Sequence, residues 1–358
     1  MEAYIEAATT VLRSGRYING ESVARFEKAL AASCGAECCV AVSSGLDALR
    51  LILLAYIELG RLKEGDEVIV PANTFIATFL AVTSCGLRVV ACDVTEDDFC
   101  VDFERLPLTE RTRAIIPVHL YGNPCWNQEA FSALRARGIL VIEDNAQAIG
   151  ATAKTEGFNG SRATGNLADA AAISFYPAKN IGAFGDAGAV LTDDAILAET
   201  VRTLANYGAK EKYFHTVKGY NCRMDELQAA LLKVKLRKLP DIISVRRANA
   251  ALYDTLIKNP RVRKPRVFTD RGQVWHQYVV RHPERDSLRE FLKTKGIDTE
   301  IHYPVPCHLQ QCYAGSGMIA TPSPLTVAET LAKEILSLPI ADVTKEEIHY
   351  IANTVNEF

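Results

Sequence analysis

The sequence predicts an α/β protein: a mostly parallel sheet flanked by helices, followed by a smaller α+β region. Three observations carry the prediction. Short apolar runs without strict alternation recur through the first 200 residues, as expected of strands buried on both faces. Amphipathic stretches of helical length lie between several of them, the βαβ signature of parallel strands. Polar residues collect just after the runs, where open α/β sheets bind their ligands.

Taken in order, the N-terminal "MEAYIEAATTVLRSGRY", expected as a helical segment, contains acids and lacks a cationic start followed by an apolar core, so it is not expected to be a secretory signal. The strand candidates are "CCVAV" from 38, "EVIVPA" from 67, "LRVVACDV" from 87, "AIIPVHLY" from 114, "ILVIEDNA" from 139, "AAISFYP" from 171 and "GAVLTD" from 188, seven in all. Helices are expected over "LDALRLILLAYIELGRL" and over "NQEAFSALRARG", the second ending at a glycine suited to a helix C-terminus. From about Asp225 the pattern becomes one long helical stretch broken at Pro240. Beyond it, "VWHQYVVRH", "DSLREFLKTKG", "TEIHYPV" and a last helix near "VAETLAKEIL" predict the smaller region. The expected domains are therefore 1–238, with the N-terminal helical segment included, and 239–358.

Composition narrows the function. The chain of 358 residues is 48% hydrophobic and 23% charged, with net charge -3. Such a balance offers no basic field to gather nucleic acid or an anionic membrane. No apolar run approaches the roughly 20 residues of a membrane helix. Ten cysteines are scattered without a C-x-x-C pair, so neither a metal site nor a disulfide framework is expected, and the reading is a reduced, cytoplasmic protein.

The chemistry collects after the strand candidates. Ser43, Ser44 and Gly45 open a helix after the first; Asn73, Thr74 and Phe75 follow the second. His119, Tyr121 and Gly122 follow the fourth, Asp144 and Gln147 the fifth, and Ser174 and Lys179 the sixth. Taken singly, each has a structural reading: Ser44 a helix cap, Asp144 an ion-pair partner, Lys179 a loop lysine among turn glycines. Together they point to one cofactor. A lysine in a mostly apolar pocket has its ammonium disfavoured and its amine available toward an aldehyde. Pyridoxal phosphate needs such a lysine, a carboxylate for its pyridine nitrogen and a phosphate cradle. Asp144 supplies the second, and Gly45 with its helix and Ser174 the third.

The stretches "SSGLDAL", "PANTFIAT", "VHLYG", "IEDNAQAIGA", "SFYPAKNIGAFGDAGAV", "NYGAKEKYFHTVKGYNCRMDELQAALLKVKL" and "IHYPVPCHLQ" resemble, in order, the DegT/DnrJ/EryC1/StrS family of sugar aminotransferases. The resemblance implies the pyridoxal-phosphate fold type I of aspartate aminotransferase, with a seven-stranded sheet. It implies amino transfer from glutamate, released as 2-oxoglutarate, to a ketosugar on a nucleoside diphosphate. It further implies that Lys179 binds the cofactor covalently and moves the proton, that Asp144 pairs with the pyridine nitrogen, and that Gln147 lies near the phenolic oxygen. Phe75 would stack on the ring, and Gly45, Leu46 and Ser174 would hold the phosphate. Asn221 would reach the phosphate of a neighbouring subunit, making a homodimer with shared active sites. His308 would lie on the substrate side, with Tyr213 and Arg223 near the nucleotide sugar. Leu46, Asn145, Ala187 and Cys222 stand where threonine, alanine, glycine and serine are frequent in the family.

The family also contains dehydratases with histidine in place of the lysine, and Lys179 favours amino transfer over that reading. A regulatory, non-catalytic role finds no DNA-binding segment or basic stripe in support. The form "IEDNAQAIGA" inclines the expectation to C3 of a dTDP-3-keto-6-deoxyhexose, with C4 amination of a dTDP- or UDP-linked sugar as the alternative.

Overall fold

Two helices, α1 (Glu2–Ser14) and α2 (Glu21–Cys34), precede the sheet in a computed structural model that describes residues 1–155 and 160–358. The start of α2 is capped from afar: the buried Glu226 carboxylate accepts from the N–H groups of Gly20, Ser22 and Val23 at 2.7, 2.8 and 3.0 Å. A carboxylate at a helix N-terminus meets both the free donors and the dipole.

All seven apolar runs form strands: β1 (Cys38–Val42), β2 (Glu67–Pro71), β3 (Arg88–Cys92), β4 (Thr112–Ile115), β5 (Leu140–Asp144), β6 (Ala170–Ser174) and β7 (Gly188–Thr192). The helices between them are α3 (Gly45–Glu58), α4 (Ile76–Thr83) and α5 (Gln128–Ala136), and α6 (Ala195–Ala205) follows β7. Spatial order is β1-β7-β6-β5-β4-β2-β3, with β7 antiparallel to both neighbours and the other adjacent pairs parallel. Alternate strand residues feed opposite layers. Val68 and Val70 join the core that holds Leu49, Ile52 and Tyr56 of α3, whereas Ile69 joins Val90, Val141 and Phe131 on the other face. Each such fully buried side chain contributes about 1.5–3 kcal/mol. Both-face burial is why the runs lack polar alternation.

The C-terminal third includes the strands β8 (Tyr278–Arg281), β9 (Ile319–Ala320) and β10 (Ile335–Leu338). β9 adds an eighth strand to the sheet, pairing parallel with Val89 and Val90 and covering the β3 edge. The long helical stretch divides into α7 (Glu226–Leu236) and α8 (Leu239–Leu256). Its break falls at Arg237 and Lys238, ahead of Pro240, which occupies the first turn of α8, where no backbone donor is needed. The antiparallel pair β8 and β10 packs with α9 (Arg285–Thr294) and α11 (Lys345–Glu357) around Tyr253, Tyr278, Leu288 and Ile351. Between them, α10 (Thr326–Glu334) is shorter than read from sequence, because Ile335 and Leu336 already belong to β10. No helix among the described residues is long and apolar enough to cross a membrane.

Candidate active site

The carboxyl ends of β1, β2, β4, β5 and β6 share one edge of the sheet, and a cavity of about 450 Å³ opens there. Seven of the eight cofactor-binding candidates line it: Gly45, Leu46, Phe75, Asp144, Gln147, Ser174 and Lys179. The strand ends thus bring together groups up to 134 positions apart, from 45 to 179.

Lys179 follows β6 through a turn closed by its own N–H on the Tyr176 carbonyl at 2.8 Å. Burial pushes its amine down to about 8, against a smaller opposing pull from Asp144. Asp144 ends β5, buried; its Oδ2 accepts from Thr78 Oγ1 at 2.8 Å and its Oδ1 from the Ala146 N–H at 3.1 Å. Burial raises the Asp144 carboxyl, while the Thr78 and Ala146 hydrogen bonds and the positive Lys179 pull it back. Thr78 in turn meets Thr74 Oγ1 at 2.8 Å, so the carboxylate is held by a short hydroxyl chain from the α4 entry.

The start of α3 also lines the cavity. Ser44 caps the helix by accepting from the Asp47 N–H at 3.0 Å, which leaves the Gly45 and Leu46 N–H groups of the first turn for a ligand. A Cβ on Gly45 would lie 2.6 Å from Ser174 Cβ, so only glycine lets the β6 end and the helix start close into one cradle. Free helix-start N–H groups and a hydroxyl suit a phosphate. Gln147 is fixed at both ends: its Oε1 accepts from the Tyr121 N–H at 2.6 Å and its Nε2 donates to Tyr303 Oη at 3.1 Å. Phe75 is 52% exposed, which excludes a core role, and its ring lies 5.2 Å from that of Tyr303. An activated amine, a buried carboxylate and an anion cradle in one cavity fit pyridoxal phosphate.

The remaining candidates lie outside this cavity. His308 Nε2 sits 3.2 Å from Glu329 Oε1, tying its loop to α10. Asn221 is exposed, and Tyr213 is 79% exposed in the hairpin of Ala209–Glu211 and Phe214–His215. Arg223 donates to Asn206 Oδ1 at 3.0 Å and packs over the Tyr207 ring. His119 is a buried support: its Nδ1 accepts from the Cys125 N–H at 2.9 Å, and its Nε2 meets Glu143 at 2.8 Å.

Sequence reading missed His276, Gln277, His302 and Tyr303, which close the cavity from the C-terminal region. In "IHYPVPCHLQ" the wall is His302 and Tyr303, not His308. That loop is anchored by the Cys307 N–H on the Ala72 carbonyl at 3.1 Å and Cys307 Sγ on the Thr74 carbonyl at 3.0 Å. Asp186, three residues after Ala183 in the lysine loop, also reaches the cavity.

Residues 1–356 match the DegT/DnrJ/EryC1/StrS aminotransferase family. The chain is 45% identical over 353 residues, 97% of its length and 93% of the relative's, to the erythromycin biosynthesis sensory transduction protein EryC1 of Saccharopolyspora erythraea. It is 43% identical over 356 residues, 99% of its length and 94% of the relative's, to the dTDP-3-amino-3,6-dideoxy-alpha-D-galactopyranose transaminase of Aneurinibacillus thermoaerophilus. Among solved structures, S. venezuelae DesV in complex with a ketimine intermediate superposes with a TM-score of 0.92 at 41% identity, covering 99% of this chain and 93% of that one.

Proposed function

The chain belongs to the DegT/DnrJ/EryC1/StrS aminotransferase family, and on that premise we propose that it moves the amino group of glutamate to C3 of a dTDP-linked 3-keto-6-deoxyhexose. It is a pyridoxal-phosphate-dependent aminotransferase of nucleotide-linked keto sugars. The observation that carries the chemistry is the cavity that Lys179 and Asp144 share with the α3 start.

Bound there, pyridoxal phosphate supplies an aldehyde carbon and a cationic ring able to take up an electron pair. Asp144 would pair with the ring nitrogen and keep it protonated. Gly45, Leu46 and Ser174 would hold the phosphate, Gln147 would lie by the phenolic oxygen, and Phe75 would stack on the ring. Lys179 Nζ would bind the cofactor and, once displaced by glutamate, would be free to take the proton from the α-carbon of glutamate and to give a proton to the sugar carbon that receives nitrogen. Its lowered proton affinity suits both directions of transfer near neutrality.

The Aneurinibacillus relative is named for a 3-amino sugar, which supports C3 over C4. The exposed Tyr213 and Asn221, with Arg223, leave a surface for a second copy, whose cofactor phosphate Asn221 would reach. The break before α8 is taken as the boundary between a large cofactor-binding domain, 1–238, and a smaller one, 239–358. Incubation with glutamate and a panel of dTDP- and UDP-linked 3-keto and 4-keto sugars tests the reading. NMR of the product is expected to show nitrogen at C3; nitrogen at C4 alone, or no amination, overturns it.

A further inference from the structure

Most polar side chains around the Lys179 cavity are already committed. Ser44 caps α3, Gln147 is bonded at both ends, and Asp144 accepts from Thr78 and Ala146. His276 differs. Its ring is buried and Nδ1 lies 3.2 Å from Asn180 Oδ1, the residue beside Lys179. With Asn180 Oδ1 turned toward it, an oxygen that only accepts, Nδ1 donates and Nε2 carries a lone pair, while Asn180 Nδ2 is left without a partner. Among the described residues Nε2 has no hydrogen-bond partner, and His276 lines the cavity.

The backbone on either side of His276 is held in place. The Val274 N–H donates to the Gly122 carbonyl at 3.0 Å and the Gln277 N–H to the Tyr121 carbonyl at 3.3 Å, clamping the segment to the loop after β4. Gly122 has φ 88°, and a Cβ there would lie 2.9 Å from the His276 backbone nitrogen, so the close approach needs glycine. Burial, reinforced by the positive fields of Lys179, Arg246 and His302, pushes the His276 imidazole well below its usual range. The ring therefore stays neutral, a lone pair that repels carboxylate and phosphate and welcomes an O–H donor. No arginine lines this cavity among the described residues. His302 is less defined, because its Nδ1 faces the Ser337 hydroxyl at 2.9 Å, which either donates or accepts.

We propose that His276 is a specificity-determining residue, its Nε2 a fixed acceptor that reads a hydroxyl of the sugar ring. The inference rests on the nucleotide-sugar reading above and adds the residue that tells a hydroxyl from its absence at one ring position. A site built to hydrogen-bond a hydroxyl strongly rejects the analogue lacking it.

The test compares binding of two probes to the cofactor-loaded protein: dTDP-3-amino-3,6-dideoxygalactose, which carries ring hydroxyls, and dTDP alone. In H276F the sugar nucleotide is expected to bind about tenfold or more weakly while dTDP is held as before, since one hydrogen bond in a desolvated site is at stake. H276Q, which restores an acceptor, should recover most of the loss. Equal loss for both probes, or no loss for the sugar nucleotide, overturns the proposal. A second measurement does not depend on the variants folding: in 15N-histidine-labelled wild-type protein, the His276 Nε2 resonance should be that of an unprotonated nitrogen at pH 6–8. It should move with the sugar nucleotide and not with dTDP; a protonated Nε2, or one indifferent to both probes, overturns it. If the wild-type protein binds neither probe and aminates no sugar, the functional reading itself fails; if it does both and H276F matches it, this inference alone fails.

Discussion

Lys179 and Asp144 oppose each other's burial, and each is testable by itself. Burial lowers the Lys179 amine from its ordinary 10.5 to about 8, so its free fraction rises with pH through about 8 and not through the usual lysine range. Uptake of pyridoxal phosphate by the cofactor-free protein, followed by absorbance, should therefore quicken between pH 7 and 9 and level off above; a midpoint near 10.5 would refute the buried-amine account. The linkage sign agrees: between about 8 and 10.5 the unfolded chain holds more protons, so this group's contribution to stability rises with pH in that window. For Asp144, Thr78 is the support to remove. Thr78→Val deletes the 2.8 Å hydrogen bond to Oδ2 while keeping the shape, at a cost of about 1.5–3 kcal/mol for a bond to a charged group. Cofactor affinity measured by absorbance titration should fall about tenfold or more; an unchanged affinity would show that Thr78 does not hold the carboxylate.

At the scale of elements, the start of α3 and the end of β6 form the phosphate cradle by touching where Gly45 meets Ser174. Gly45→Ala places a methyl 2.6 Å from Ser174 Cβ, and such overpacking costs about 1–3 kcal/mol. Thermal melts should show lower stability, and dialysis weaker cofactor retention, than the parent protein; retention equal to the parent's would dissociate the cradle from the site. The strands were legible because each is buried on both faces and so announces itself as an unbroken apolar run, and the site residues just behind them were legible for the same reason. Less of the C-terminal third could be read. β9 is two residues long and has no pattern to detect, and α10 passes directly into β10 without a turn residue between. α11 went unread although Thr344 and Glu347 form a capping box at its start, a signal present in the sequence as T-K-E-E. His276 and His302 reach the cavity only through long-range contacts, Gly122 with Val274 and Ala72 with Cys307, and no local pattern encodes such contacts.

Across the whole molecule, the C-terminal region is fastened to the sheet's loops by ionic links. Glu96 accepts from Arg281 at 3.0 Å, Asp97 pairs with Arg266 at 2.7 Å and Asp98 with Arg271 at 2.7 Å; Arg281 also meets Glu334 at 2.8 Å. Arg281 is buried, so its removal takes the partner from Glu334 and the packed stem from the interior, while Glu96 keeps Arg263 at 3.4 Å. Arg281→Ala should lower stability by about 1–3 kcal/mol in denaturant titrations and loosen the wall that carries His276; a loss within about 0.5 kcal/mol would mark these links as solvated surface pairs. The architecture as a whole has one centre: strand ends and a C-terminal wall converging on a single amine. Borohydride reduction of the cofactor-loaded protein, digestion and peptide mass spectrometry test that centre most directly. The account predicts a pyridoxyl group on the peptide containing Lys179 and its absence from the Lys179→Ala protein; a stable adduct on a different lysine, or none, would contradict it.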